Sequence, residues 1–179
     1  MIIHLNGMIG VGKLTVAKLL SAKLNSRLID KHLVIDLVTT ICERGSSSYF
    51  ALLKKFTEVI LEEIAERRED IFIFTNALSA ELEEDRERFD YLSRFSKREN
   101  IPFVQVLLTC DLEENKRRIV SDDRKTKGKL MNPFELEEIC RNYSIYHPPN
   151  EFALKINTTN LSAEEVSEQI KNYIEKISM

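Results

Sequence analysis

The sequence predicts an α/β sandwich: a parallel sheet with helices on both faces, in one domain covering residues 1–179. Three observations lead there. Short apolar runs alternate with longer segments of helical periodicity. The run Ile71-Phe-Ile-Phe-Thr75 is almost wholly apolar, as a strand covered from both sides must be. A glycine-rich turn joins the first apolar run directly to the first helix, and no repeat or low-complexity linker interrupts the pattern.

Ile2 to Leu5 read as a buried strand, Gly7 to Gly12 as the turn, and Lys13 as the opening of a helix whose Val16, Leu19, Leu20 and Leu24 follow helical offsets. Arg27-Leu-Ile forms a second strand ending at Asp30. Helices follow over about 33–42 and 48–67, parted by Gly45-Ser-Ser-Ser48. After the third strand, Ile71 to Thr75, a charged helix runs from Ser79 to Arg98 and ends near Asn100 and Pro102. Phe103 to Leu108 is the fourth strand, and Asp111 with Glu114 reads as a capping pair for the next helix. Asn132-Pro133 with Glu135 starts another, as an N-cap, a proline at the first helical position and a reach-back acid. Phe152 to Ile156 is the fifth strand, and the Ser162/Glu165 capping box opens a terminal helix ending near Ile177.

The turn carries the chemistry. Glycines at 7, 10 and 12 let backbone N–H groups, including those of Ile9 and Val11, close around phosphate oxygens without Cβ obstruction. The helix that follows points its positive end at the same place, and Lys13 reaches the β- and γ-phosphates. This is a P-loop, and it predicts a nucleoside triphosphate, ATP with Mg²⁺, as cofactor. The position after the lysine, where a hydroxyl ordinarily ligates Mg²⁺, is Leu14. Leucine holds no metal, so Mg²⁺ depends on water and on carboxylates elsewhere, while Thr15 can still donate to a phosphate from the first helical turn.

In open parallel sheets ligands sit at the carboxyl ends of the strands, which places the P-loop, Asp30, Thr75-Asn76 and the segment after Leu108 along one rim. Asp30 there suits a base for an acceptor hydroxyl or a holder of metal-bound water; the plainer reading is a helix N-cap. His32 and Asp36 are weaker candidates, His32 as a substrate hydrogen bond rather than a metal ligand. Thr75 and Asn76 offer uncharged donors and acceptors to a small molecule, or simply cap the loop. Helices over about 31–68 are expected to bind that substrate. Residues 116–129 hold seven basic side chains against two acids, which predicts a lid at about 121–131. Arg118 and Arg124 are the candidates for neutralising a transferring phosphoryl group; the alternative is a solvated charge run. Six acids within Glu81–Asp90 read as a solvated helix face. Tyr143, Tyr146, His147, Pro148 and Pro149 suit a base-binding loop opposite residues 157–160, or plain turns.

With these parts assembled, the chain resembles the shikimate kinase and adenylate kinase group of small P-loop kinases. The Gly12-Lys-Leu-Thr15 ending is similar to the Gly-Lys-Gly-Thr of adenylate kinases, and Arg27-Leu-Ile-Asp30 looks like the strand-end aspartate of shikimate and antibiotic kinases. The resemblance implies a five-stranded sheet in the order 2-3-1-4-5, the P-loop NTPase fold, and phosphoryl transfer from ATP to a hydroxyl of a small molecule. Two departures stand out. Thr75-Asn76 replaces the glycine cluster by which shikimate kinases hold their substrate, and Asp122-Asp-Arg124 is only near the paired acid–arginine pattern of adenylate kinase lids. A nucleoside or nucleotide kinase, or a nucleotide-binding regulatory module with little catalysis, is the alternative.

Hydrophobic content of 43% and charged content of 31% are those of a soluble globular chain, and a net charge of −3 argues against nucleic acid as an obligatory partner. Cys42, Cys110 and Cys140 form no CxxC and fit reduced, buried thiols in a cytoplasmic protein. No apolar run approaches a membrane span, and a P-loop starting at residue 7 leaves no room for a signal peptide.

Overall fold

A computed structural model describes residues 1–121 and 130–177. Five parallel strands, β1 (Ile2–Gly7), β2 (Arg27–Asp30), β3 (Phe72–Thr75), β4 (Phe103–Thr109) and β5 (Ala153–Asn157), lie in the order β2-β3-β1-β4-β5. The helices are α1 (Lys13–Leu24), α2 (Lys31–Thr39), α3 (Ser47–Glu66), α4 (Glu83–Arg98), α5 (Leu112–Ile119), α6 (Pro133–Asn142) and α7 (Ala163–Ile177). The α/β sandwich and its 2-3-1-4-5 order are those expected.

Strand periodicity sorts the two cores. Ile3 and Leu5 of β1 turn to one face with Ile73, Val104 and Val106, packing on α1 (Val16, Leu20) and α7 (Val166, Ile170). Ile2, Phe72, Phe74 and Phe103 turn to the other, against Leu61 and Ile64 of α3 and Phe89, Leu92 and Phe95 of α4. Every residue of β1 is buried, so the central strand has no solvent face to give it alternation. The second face also carries three polar side chains with no exposure at all: His4, Asn6 and Gln105. Lys23 bridges α1 to α7 through Glu164 and Glu168 at 2.8 and 2.6 Å.

Four sequence expectations change. The charged helix begins at Glu83 rather than Ser79. Ser79 is drawn into a bridge with Ile145, and the Glu81 carboxylate accepts from both the backbone N–H and the hydroxyl of Ser144, at 2.9 and 2.7 Å. A tertiary pairing thus claims residues that have helical propensity. The Asp111/Glu114 cap does not form, because Glu114 turns to Arg117 and Arg118 at 2.7 Å while the Asp111 N–H donates to Thr159 Oγ1. The helix expected over about 33–42 begins two residues earlier, since Asp30 caps it by accepting from His32 N at 3.1 Å. The Ser162/Glu165 box and the Asn132 cap form as read. The three cysteines are half-buried free thiols rather than core residues.

Candidate active site

The loop between β1 and α1 is shaped by what packs beneath it. Gly10 has φ +92°, and a Cβ there would overlap Asn115 Oδ1 and Ile119 Cγ2 of α5, so only glycine fits. Asn115 Nδ2 donates to the Ile9 carbonyl at 2.9 Å and pins the loop to α5. Gly12, with φ +94°, is the N-cap of α1, and a Cβ there would meet nothing within 4 Å. The loop is therefore tight on its protein side and open on its outer side. Lys13 Nζ folds back over it, donating to the carbonyls of Gly7 (2.7 Å) and Met8 (2.8 Å). Leu14 is half-buried, whereas Thr15 is exposed and lines a neighbouring pocket with Gly12.

That pocket, about 360 Å³, lies between the P-loop, α5 and the turn after β5. Arg118 forms one wall. Its Nε donates to Glu114 at 2.7 Å, and its terminal nitrogens donate to Thr158 Oγ1 at 2.9 Å and to the Thr158 carbonyl at 2.7 Å. Arg117 and Arg118 together hold the Glu114 carboxyl down at about 2. Arg118 is thus committed to the β5 turn and to the P-loop carbonyl of Val11, 3.4 Å away. It stands beside a pocket of mixed polar and apolar lining. Thr158, Thr159 and Leu161 line the same pocket. The strap at 143–149 is not opposite them. Tyr146 packs its ring edge-on to Phe89 at 5.5 Å and donates its N–H to the Leu78 carbonyl, on the α4 side of the sheet.

On the other side of the P-loop the rim continues through Thr75 and Asn76 to Asp30, which is in register with Thr75. Asn6 ties these parts together. Its Oδ1 accepts from Gly7 N and Leu78 N, both at 3.0 Å, and its Nδ2 donates to the Tyr146 carbonyl at 2.8 Å. Thr75 and Asn76 are buried, and Asn76 Nδ2 lies 3.0 Å from His4 Nε2. Asp30 is mostly buried and caps α2, and the His32 ring, half exposed, reaches its Oδ1 at 3.4 Å. Asp36 is exposed. Arg124 and most of the lid expected at about 121–131 fall outside the described residues.

A second cavity opens below Asp30 and Asn76, between β2, β3, α2, α3 and α4. Its polar lining is His4, Lys31, Thr57, Asn76 and Arg88. Burial pushes the Lys31 amine down to about 7, helped by the positive charge of Arg88 and opposed by Asp85. Burial likewise lowers His4 to about 3, so its ring is neutral at physiological pH. The 81–90 stretch is accordingly not all solvated face, since Asp85 and Arg88, paired at 2.9 Å, turn inward. Sequence reasoning missed Asn6, Lys31, His4 and Arg88. A polar residue directly before Gly7, and a lysine directly after Asp30, were the available signals.

Among the described residues no cluster of three His, Cys, Asp or Glu side chains could hold a metal, and no helix is long and apolar enough to cross a membrane. The donor set suits a Mg²⁺ carried on nucleotide phosphates, with Asp30 as candidate carboxylate.

No curated protein matches the chain. Solved structures do, across nearly the whole length. The gluconokinase from Sinorhizobium meliloti 1021 is 12% identical, with a TM-score of 0.62, over 98% of this chain and 91% of that one. The shikimate kinase from Aquifex aeolicus is 19% identical with a TM-score of 0.57, over 99% and 98%. The APS kinase of Mycobacterium tuberculosis, solved in complex with AMPPNP and APS, is 16% identical with a TM-score of 0.60, over 97% and 96%. These likenesses establish the shared fold. The family described as the AAA domain matches residues 3–140, which hold the P-loop, the first four strands and α5. With more than half of its length matched, the chain belongs to the AAA domain family of P-loop proteins.

Proposed function

We propose that this protein is an ATP-dependent phosphotransferase acting on a hydroxyl of a small molecule. The observation that carries the reading is linear order along one sheet edge. The 360 Å³ pocket lies on the β4/β5 side of the P-loop, and Asp30 with its cavity lies on the β2/β3 side. A nucleotide with its base against Arg118 and Thr158 and its phosphates over Gly7–Lys13 ends with the γ-phosphoryl group facing Asp30.

In that arrangement the N–H groups of Ile9, Gly10, Val11 and Gly12, with Lys13 and the Thr15 hydroxyl, hold phosphate oxygens. Lys13 leaves its carbonyl partners to do so. Asp30 takes the proton from the acceptor hydroxyl as that oxygen bonds to γ-phosphorus and the bond to ADP breaks. Thr75, Asn76 and His32 position the acceptor. Mg²⁺ supplies neutralising charge to the phosphates when bound. Arg124 and the lid act on the transferring group in this reading, whereas Arg118 serves the base side.

The Leu14 position favours one rival, a nucleotide-binding module with slow hydrolysis. ADP release in the presence of a panel of hydroxylated metabolites and nucleosides separates the two. Acceptor-stimulated release supports the transferase; ATP binding with no stimulation by any acceptor supports the module. Preference for a nucleoside acceptor would establish the nucleoside-kinase alternative.

A further inference from the structure

The cavity beside Asp30 is small, about 60 Å³, room for roughly four to six water-sized groups. Ile29, Val34, Phe74 and Leu92 make its walls apolar. Such a seat takes a short apolar fragment and one polar head, not a nucleoside. Two observations identify the head. The first is Lys31, which lines the cavity half-buried and makes no hydrogen bond or ion pair among the described residues. Of the charges that act on it, Arg88 and the exposed Arg44 repel and Asp85 attracts. Arg88 is already paired to Asp85, so a protonated Lys31 leaves the cavity with one positive charge in excess.

The second is His4, fully buried and lining the same cavity. With the Asn76 amide donating to Nε2, the ring proton sits on Nδ1, and Nδ1 has no partner among the described residues. A buried donor and a half-buried amine, both without a hydrogen-bond partner among the described residues and both on residues that line one cavity, are costly to keep unless a ligand answers both. A monoanionic oxygen pair does so and balances the charge.

Resting on the phosphotransferase reading, we propose that this cavity seats the carboxylate of the phosphate acceptor, which is a short-chain hydroxylated monocarboxylic acid. Lys31 and the His4 Nδ1–H grip the carboxylate, and the short apolar arm fills the rest of the cavity. The hydroxyl emerges at Asp30, one residue from Lys31.

The test compares isobutyrate with isobutyramide, which match in shape and differ in charge, by chemical-shift titration of the full chain at pH 7 with a nonhydrolysable ATP analogue present. Isopropyl phosphate is the dianionic arm. Isobutyrate is expected to bind at least ~10-fold more tightly than the amide, as removal of a buried charge partner implies. Lys31→Gln should bring the two within about twofold, while Lys31→Arg keeps the preference because it keeps the charge. Equal binding of acid and amide overturns the proposal, as does a preference that survives Lys31→Gln. Tighter binding of isopropyl phosphate overturns the monocarboxylate assignment. No binding of isobutyrate to a chain that binds the ATP analogue sinks the proposal and leaves phosphoryl transfer standing. Loss of analogue binding sinks phosphoryl transfer instead.

Discussion

The two sides of the P-loop are built from different materials. The nucleotide side is mostly backbone: loop N–H groups, two left-handed glycines and the carbonyls of Thr158 and Thr159, trimmed by Lys13 and Arg118. The side proposed for the acceptor is mostly side chains, with His4 from β1, Lys31 from α2, Asn76 from the loop after β3 and Arg88 from α4. Backbone recognition accepts what every nucleoside triphosphate shares, so it needs only a loop geometry. Side-chain recognition selects one acceptor among many, and each selecting group arrives on its own element. One rim therefore combines a generic half with a particular half.

The largest effect should come from Lys13→Ala. Its ammonium donates to the loop carbonyls of Gly7 and Met8 rather than packing in the apolar core. Turnover should fall by on the order of 10²–10³-fold or more, as for loss of one preorganised electrostatic contact, with the thermal midpoint nearly unchanged. Unchanged kcat/KM in this variant would falsify the nucleotide half outright.

Asp30→Asn tests the junction. Asparagine keeps the N-cap to His32 N and removes the base, so stability should hold while kcat falls by on the order of 10²-fold. Full activity would mean that Asp30 is a cap and nothing more.

Arg118→Ala sharpens the contrast. Read from the sequence, this arginine serves the transferring phosphoryl group, and its loss should lower kcat more than it raises the ATP KM. Its commitment to Thr158 and Glu114 at the pocket wall reverses the expectation. The ATP KM should rise roughly tenfold with kcat little altered, the pattern of lost ground-state binding. A kcat loss exceeding the KM rise would return Arg118 to the phosphoryl group.

The smallest effect concerns pH and the acceptor half. His4 has its pKa lowered from 6.5 to about 3 by burial, so between those values the unfolded chain binds more protons than the folded one. Its contribution to stability is complete above about 6.5 and is lost as pH falls toward 3. His4→Gln should therefore show a shallower fall of melting temperature between pH 6.5 and 4 than the parent. Parallel melting curves would mean that His4 is not the buried neutral ring described.

The nucleotide half was legible because its geometry is local. Gly7, Gly10, Gly12 and Lys13 lie within seven residues, and the chirality of L-residues makes glycine at positive φ readable without knowing what packs there. Asp30 was legible as the end of an apolar run. Lys31 was not, because a lysine at a helix start reads as solvated until α4 brings Arg88 and Asp85 beside it. Arg118 was found without its bonds to Thr158 and Glu114, since charge patterning along a helix does not say which strand end faces it. The start of α4 was misplaced for the same reason: Ser144 and Ile145, more than sixty residues away, claim Ser79 and Glu81.

The sequence by itself determined the sandwich, its parallel strands and the glycine-rich loop between the first strand and helix, because periodicity and glycine sterics act over a few residues at a time. Only the tertiary structure decided which side chains meet across the rim, and therefore which polar and charged groups share each cavity. Those contacts depend on how separate elements pack, and neither burial nor the electrostatics of a cavity exists until they do.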